Sequence, residues 1–429
     1  MDRTDSGAER PDLYLFNPFA EAFWAKGKAF TPTQSQKNLS HDLESLPRFL
    51  AFAKDIVLVS EQPSSEFQAT LSNAGFNSPE FIEFPMSGIP AQHPLRGRAL
   101  RQLRPWAWGP DSEALLKPLF GNASIAPPSM TAELYSKTWS AQFLREEIQC
   151  RSRSELICTE YEIGIVVNDF DEAMECIRQI RSRGHLRVVV KQPLGLAGHN
   201  ALRLWEPELL PEQRRWIERS LEHGSVLVEP WLERLLDFSV QLEMNQAGLR
   251  LLGYTGLRND LRGQYQANWA EPGFQARPPA QVFALLGVGQ NAIDEVFFPL
   301  IGRLEKALRI RNYVGPIGID TFIYRQEREN RLKPVVEFNP RFTMGRLMIE
   351  LMQRVAPERF GEFRLVPLKM ARAKGCQTLA AFAEKITLDS PLVQKSEQIR
   401  GGSLCLNDPK QARTTLAILR VAPDRESLG

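Results

Sequence analysis
The sequence predicts an α/β and α+β protein. A small N-terminal domain is built on a parallel sheet, and the α+β sequence that follows is dominated by antiparallel strands. Three stretches carry that expectation. Residues 55–60, DIVLVS, form a continuous apolar run between helix-patterned segments, as a strand covered on both faces requires. Residues 187–206, RVVVKQPLGLAGHNALRLWE, read as strand, glycine loop, strand. Residues 315–346, GPIGIDTFIYRQERENRLKPVVEFNPRFTMGR, read as a β-hairpin.

Taken in order, residues 13–17 (LYLFN) form a short strand, and residues 42–54 carry helical spacing at Leu43, Leu46, Phe49, Leu50 and Phe52. Residues 67–74 form a helix ended by Gly75. This alternation predicts the parallel sheet, without a glycine-rich dinucleotide fingerprint. Arg96, Arg98, Arg101 and Arg104 cluster before Trp106 and Trp108. Basic residues among aromatics can touch nucleic acid or phosphate, but the neutral overall charge favours solvated arginines with wedged tryptophans. Pro127 and Pro128 place a boundary, so residues 1–130 are the first domain.

Thr131 caps a helix reaching Gln149, with Leu134, Phe143 and Leu144 on its apolar side and Lys137 in its early turns. Residues 162–168 form a strand, and Asp169 or Asp171 caps a helix carrying Met174, Ile177 and Ile180. Pro211 opens another helix and Gly224 closes it. Residues 226–243 read as strand, turn, strand, ending a lobe at 131–228 and opening another at 229–350. Residues 254–269 (YTGLRNDLRGQYQANW) are polar and glycine-punctuated, as in a functional loop. Residues 288–308 form a helix. Beyond 350, residues 378–386 form a helix, and Gly401 and Gly402 make a turn. This extension, 351–429, either lids an acceptor pocket or supports a homodimer.

The chain has 429 residues, 43% of them hydrophobic and 24% charged, enough for more than one core. Its 53 basic and 51 acidic residues nearly cancel, which argues against a dedicated nucleic-acid binder. The opening MDRTDSGAERPD lacks a secretion signature, and no apolar run approaches the roughly 18 residues of a membrane span. Five scattered cysteines contain no C-x-x-C pair, so reduced thiols and a cytoplasmic location are expected. The five histidines show no zinc spacing.

The late hairpin carries the chemistry. Ile317, Ile319 and Ile323 share one face, and Asp320 takes the other. Residues 326–331 make the reversal, and on the return strand Glu337 and Asn339 lie two apart, so they share a face. Pairing would bring Asp320, Glu337 and Asn339 to one spot, where oxygen donors suit Mg²⁺, with Mn²⁺ as an alternative. Arg341 would face the same way and suits phosphoryl oxygens. The alternative is a solvent-facing hairpin, but charges set among Ile, Val and Phe need a partner.

Upstream, Lys191 ends an apolar strand and precedes a loop containing Gly195, Gly198, His199 and Asn200. A lysine there reaches phosphates, and glycines let backbone N–H groups approach them. The loop could equally be an ordinary hairpin turn, and it is not a P-loop. Glu229 follows Val226, Leu227 and Val228, where backbone donors and acceptors can meet a purine edge. Asp237 is a candidate for ribose hydroxyls or a metal.

In this order, Lys137, Lys191 with its glycines, Glu229, Asp237, Asp320 and Glu337-x-Asn339-x-Arg341, the segment 131–350 resembles the ATP-grasp superfamily. The resemblance implies a two-lobed fold that holds ATP between α+β subdomains after a small α/β domain. It implies that Lys137, Lys191, Gly195 and Gly198 bind phosphates. Glu229, Trp231 and Leu232 would contact adenine, and Asp237 the ribose. Asp320, Glu337 and Asn339 would hold Mg²⁺, and Lys191 and Arg341 would steady the transferring phosphoryl group.

That family usually activates a carboxylate as an acyl-phosphate and joins it to an amine, here expected to be an amino acid or peptide. Arg258, Asn259, Arg262 and Arg346 are candidates for a substrate carboxylate, with Gln264 and Tyr265 nearby. Arg346 could instead pair with Glu350 in a helix. Two rival readings keep the nucleotide: a regulatory or scaffold protein without ligase activity, and an enzyme that stops at phosphoryl transfer. A third, a nucleic-acid modifier, would use the arginine–tryptophan segment.

Overall fold
The computed structural model describes residues 10–85, 88–128, 131–150, 155–195, 200–260 and 265–428. The chain forms two compact units. One comprises Met1–Ser129, Ala267–Pro272 and Arg346–Gly429, and the other Met130–Gln266 and Gly273–Gly345.

The first unit opens with four parallel strands in the order Glu80–Glu83, Ile56–Val59, Leu13–Leu15, Leu103–Pro105. Ile56–Val59 is buried at every position, as its continuous apolar run predicts. Ser64 caps the helix Ser65–Asn73, and Gly75 follows it at φ +85. The helix expected over 42–54 lies earlier, at Gln34–Leu43, started by a Thr33–Gln36 capping box. Residues Leu46–Phe49 form only a 3₁₀ turn, because Pro47 lacks the N–H that a continuing α-helix needs.

The C-terminal segment adds antiparallel strands to this unit: Phe360–Pro367, Thr415–Ala422, Gln398–Cys405 and Val393–Lys395, with Ala267–Ala270 pairing on Phe360–Pro367. Asp42 fastens it by accepting the backbone N–H groups of Arg413, Thr414 and Thr415 at 2.7, 2.8 and 2.9 Å. Gly401 and Gly402 lie within Gln398–Cys405 and make no turn there. Gly402, at φ +98, is needed because a Cβ would strike the Pro391 carbonyl. Arg101 and Arg104 turn to buried Asp12, and Arg98 to Glu80.

The second unit contains two antiparallel sheets. The larger runs Glu329–Asn339, Gly315–Gln326, Glu233–Asn245, Gly248–Asn259. On its apolar face, Phe238 packs on Phe297 of the helix Gln290–Ile310, and Phe338 packs on Trp139 and Phe143 of the helix Lys137–Gln149. The smaller runs Ile165–Val167, Val226–Pro230, Val188–Lys191, Ala201–Leu204. Its helices Phe170–Ser182 and Pro211–Leu221 bury Ile177, Ile180 and Ile217 against Val188, Val190, Val226 and Val228.

Two local expectations change here. Thr131 precedes a 3₁₀ turn, and Ser136 caps the α-helix, accepting from the Thr138 N–H at 3.2 Å. Of the polar stretch expected to be a loop, residues 254–259 and 265–269 are strand instead, within Gly248–Asn259 and Tyr265–Ala270. Thr255 shows why the composition misled: it is fully buried and bonds Ser239 inside the sheet at 3.0 Å. Among the described residues, no single helix is long and apolar enough to cross a membrane.

Candidate active site
The larger sheet of the second unit collects the chemistry on its polar face. Asp320 lies directly opposite Glu337 on one side and Ser239 on the other. One rung away, Phe322 pairs with Asp237 and with Lys333. The ladder shifts between Asp320 and Phe322, and this irregularity brings Lys333 up to Phe322.

The helix Lys137–Gln149 fixes the first lysine. The Ser140 hydroxyl accepts the Phe338 N–H at 3.0 Å, tying helix to hairpin. Lys137 then reaches Glu337 Oε1 at 3.0 Å and the Gly195 carbonyl at 3.2 Å. Gly195, at φ +147, admits no Cβ because the Asn200 amide fills that space. The Asn200 amide donates to Leu194 O at 3.1 Å, and the Lys137 N–H donates to Pro193 O at 2.9 Å. Residues 193–195 and the helix start are therefore held together.

Lys191 contacts Glu229 Oε1, and Lys333 contacts Glu229 Oε2 at 3.1 Å. Burial would raise the Glu229 carboxyl, but the two ammonium groups outweigh it and hold its pKa at about 2. Asp320 shows the opposite balance. Burial and the facing Glu337 push its carboxyl up to about 7, against the pull of Arg341 and an Asn339 hydrogen bond. Arg341 donates to Asn339 Oδ1 at 2.8 Å.

Asp320, Glu337 and Asn339 are hard oxygen donors on one face, and the Asp320 pKa is raised by burial and by the facing Glu337. They fit a divalent cation that also takes phosphate and water oxygens. Among the described residues no group of three or more His, Cys, Asp or Glu forms a fuller cage.

A cleft of about 830 Å³ opens within this unit, lined by Arg187, Trp231, Leu232, Arg234, Asp237 and Asn259 among others. Trp231 meets Trp205 edge-on at 5.2 Å, and Arg234 lies 5.6 Å from its ring. Arg234 also pairs with Asp237 at 3.1 Å.

The structure thus brings Lys137, Gly195, Asp320, Glu337, Asn339 and Arg341 together, and places Lys191 on Glu229, with Trp231, Leu232 and Asp237 along the cleft. Asn259 shares the cleft, whereas Arg258 alternates to the opposite face of the strand. Arg346 takes the helical pairing, with Glu350 at 3.1 Å. Gly198, His199, Arg262 and Gln264 lie outside the described residues.

Sequence reasoning missed Lys333 and a buried polar platform beside Asp320. There Gln241 donates to Ser239 at 2.7 Å and accepts from Thr343 at 2.7 Å. A Cβ on Gly345 would come within 2.6 Å of the Gln241 amide nitrogen and 2.8 Å of the Thr255 hydroxyl. Lys333 carried a signal: it is a charge set in an apolar strand, beside Pro334, Val335 and Val336.

No protein-family model matches the chain, and no curated protein matches it by sequence. Solved structures do match. The N5-carboxyaminoimidazole synthetase from Staphylococcus aureus is 11% identical, with TM-score 0.52 over 97% of this chain and 95% of that one. The N5-carboxyaminoimidazole ribonucleotide synthetase from Thermus thermophilus is 13% identical, with TM-score 0.50 over 90% and 94%. An ADP complex of another such synthetase is 9% identical, with TM-score 0.50 over 98% and 94%. These are ATP-grasp enzymes, and the likeness runs along nearly the whole length of each; the chain has the ATP-grasp fold.

Proposed function
We propose that the protein is an ATP-dependent ligase that activates a carboxylate as an acyl-phosphate and joins it to an amine. The observation that carries this reading is the Asp320–Glu337 rung with the Lys137 ammonium on Glu337 and the Gly195 carbonyl beside it. The fold supports it, and a structural neighbour is an ADP complex.

In this reading the cleft at Trp231 and Leu232 takes adenine, Asp237 takes the ribose, and Lys137 and Lys191 take phosphates. Asp320, Glu337 and Asn339 would hold Mg²⁺, which supplies charge neutralisation at the phosphate oxygens. A carboxylate oxygen of the acid attacks the γ-phosphorus, and the bond to ADP breaks. The amine nitrogen then attacks the acyl carbon, phosphate leaves, and the amine loses a proton. This chain's residues position the reactants and spread negative charge: Lys191 at the phosphates and Arg341 at the transferring group. The expected substrate class is an amino acid or peptide, and Asn259, which lines the cleft beside Asp237, is a candidate polar contact.

The test is a pooled screen of ATP, Mg²⁺, small carboxylic acids (bicarbonate included) and amines, with mass-spectrometric detection of a dehydrated adduct. Hydroxylamine trapping should yield a hydroxamate from the acyl-phosphate. ATP binding without phosphate release in any pool would favour a nucleotide-binding regulator. Phosphoryl transfer without a hydroxamate would favour a kinase.

A further inference from the structure
Lys333 is a buried lysine, 3% exposed, for which the reading above has no role. It sits on the hairpin strand Glu329–Asn339, opposite Phe322. Its ammonium donates to Glu229 Oε2 at 3.1 Å and to the Glu162 carbonyl at 2.9 Å. Glu229 therefore carries two cations, Lys191 on one oxygen and Lys333 on the other. The two lysines are not equivalent. Lys333 is anchored by a backbone carbonyl and its side chain is 4% exposed, whereas the Lys191 side chain is 15% exposed and leads into the glycine loop.

That asymmetry matters once an anion arrives. A phosphate that draws Lys191 away removes one cation from a buried carboxylate. Were Lys191 the sole partner, Glu229 would be left buried and uncompensated, and the exchange would be strongly opposed. With Lys333 in place, Glu229 keeps a charge-assisted hydrogen bond throughout.

We propose that Lys333 is a positioning residue: it holds Glu229 in charge balance so that Lys191 can exchange from Glu229 to the phosphates of ATP. This rests on the reading of the cleft as an ATP site. Lys333 touches no substrate in this scheme and acts through Glu229 and Lys191.

The experiment compares ADP and adenosine binding by calorimetry in the wild type, Lys333→Met, and the double variant Lys333→Met/Glu229→Gln. Lys333→Met should clamp Lys191 on Glu229 and weaken ADP by roughly tenfold or more, with adenosine unchanged. Removing the Glu229 charge as well releases Lys191, so the ratio of ADP to adenosine affinity, in which any adenine contact of Glu229 cancels, should return to within about threefold of wild type. Lys333→Gln keeps a donor for the Glu162 carbonyl, should show the same ADP-specific loss, and decides the question if the methionine variant does not fold. Equal weakening of ADP and adenosine, or no recovery in the double variant, overturns the proposal. So does unchanged ADP affinity in Lys333→Met. Absence of ADP binding by the wild type overturns the ATP site itself, which is a separate failure.

Discussion

Glu337 and Glu229 lie in the same unit and each holds a lysine, yet their surroundings are opposite. Around Glu337 and Asp320, two carboxylates share the Lys137 ammonium and the Arg341 guanidinium, and burial together with the facing Glu337 pushes Asp320 up to about 7. Around Glu229, two ammonium groups face one carboxylate, which is held at about 2. The first cluster has no positive charge to spare and the second has it in surplus. A divalent cation bound to a polyphosphate would correct both at once: the cation suits Glu337 and Asp320, and the phosphates suit Lys191. In the proposed reading, the two clusters suit partners of opposite charge before either is bound.

The comparison can be broken most severely at Glu229. Glu229→Gln leaves Lys191 and Lys333 buried with no carboxylate between them, and should cost about 3–5 kcal/mol of stability in urea unfolding. A loss below about 1 kcal/mol would show that the cluster is solvated and not a buried charge network. At the other cluster, Glu337→Gln should lower ATP-dependent turnover by roughly 10²–10³-fold while the circular dichroism spectrum stays native. Turnover like the wild type's would defeat the metal assignment.

Acid sharpens the contrast without mutation. The folded pKa of Glu229, about 2, lies below its ordinary value of 4.5. Its contribution is therefore fully present above pH 4.5 and is lost as pH falls toward 2. The amount is about 3 kcal/mol, and Glu229→Gln should abolish that part of the acid dependence. A variant that keeps the wild-type slope between pH 4.5 and 2 would locate the acid sensitivity elsewhere. The smallest effect is expected at Gly345→Ala, which presses a methyl group onto Gln241 and Thr255 and should cost about 1–3 kcal/mol. Unchanged stability there would mean that the platform beside Asp320 is free to shift.

Much of the hairpin was legible because strand geometry is local. Alternation at Ile317, Ile319 and Ile323 puts Asp320 on the polar face, and the E-x-N spacing puts Glu337 and Asn339 on one side. The same reasoning failed at 254–259 and 265–269. There a polar composition resembles a loop until Ser239, on the neighbouring strand, bonds Thr255 across the sheet. It failed again at 42–54, where Pro47 set the helix boundary against the apolar spacing.

The type and order of the parts are readable from the chain alone: a parallel sheet first, then the Lys191 strand with its glycines, then the carboxylate hairpin. Periodicity and turn residues act over a few positions, so a linear reading can find them. Which charges meet was settled by the packing of distant segments. Lys137 reaches Glu337 across 200 residues, and Lys333 reaches Glu229 across 104. These contacts depend on a ladder shift at Asp320 and on a helix pinned by Ser140. Burial makes such long-range pairings strong, because a charge removed from water must find its partner wherever the fold has placed it.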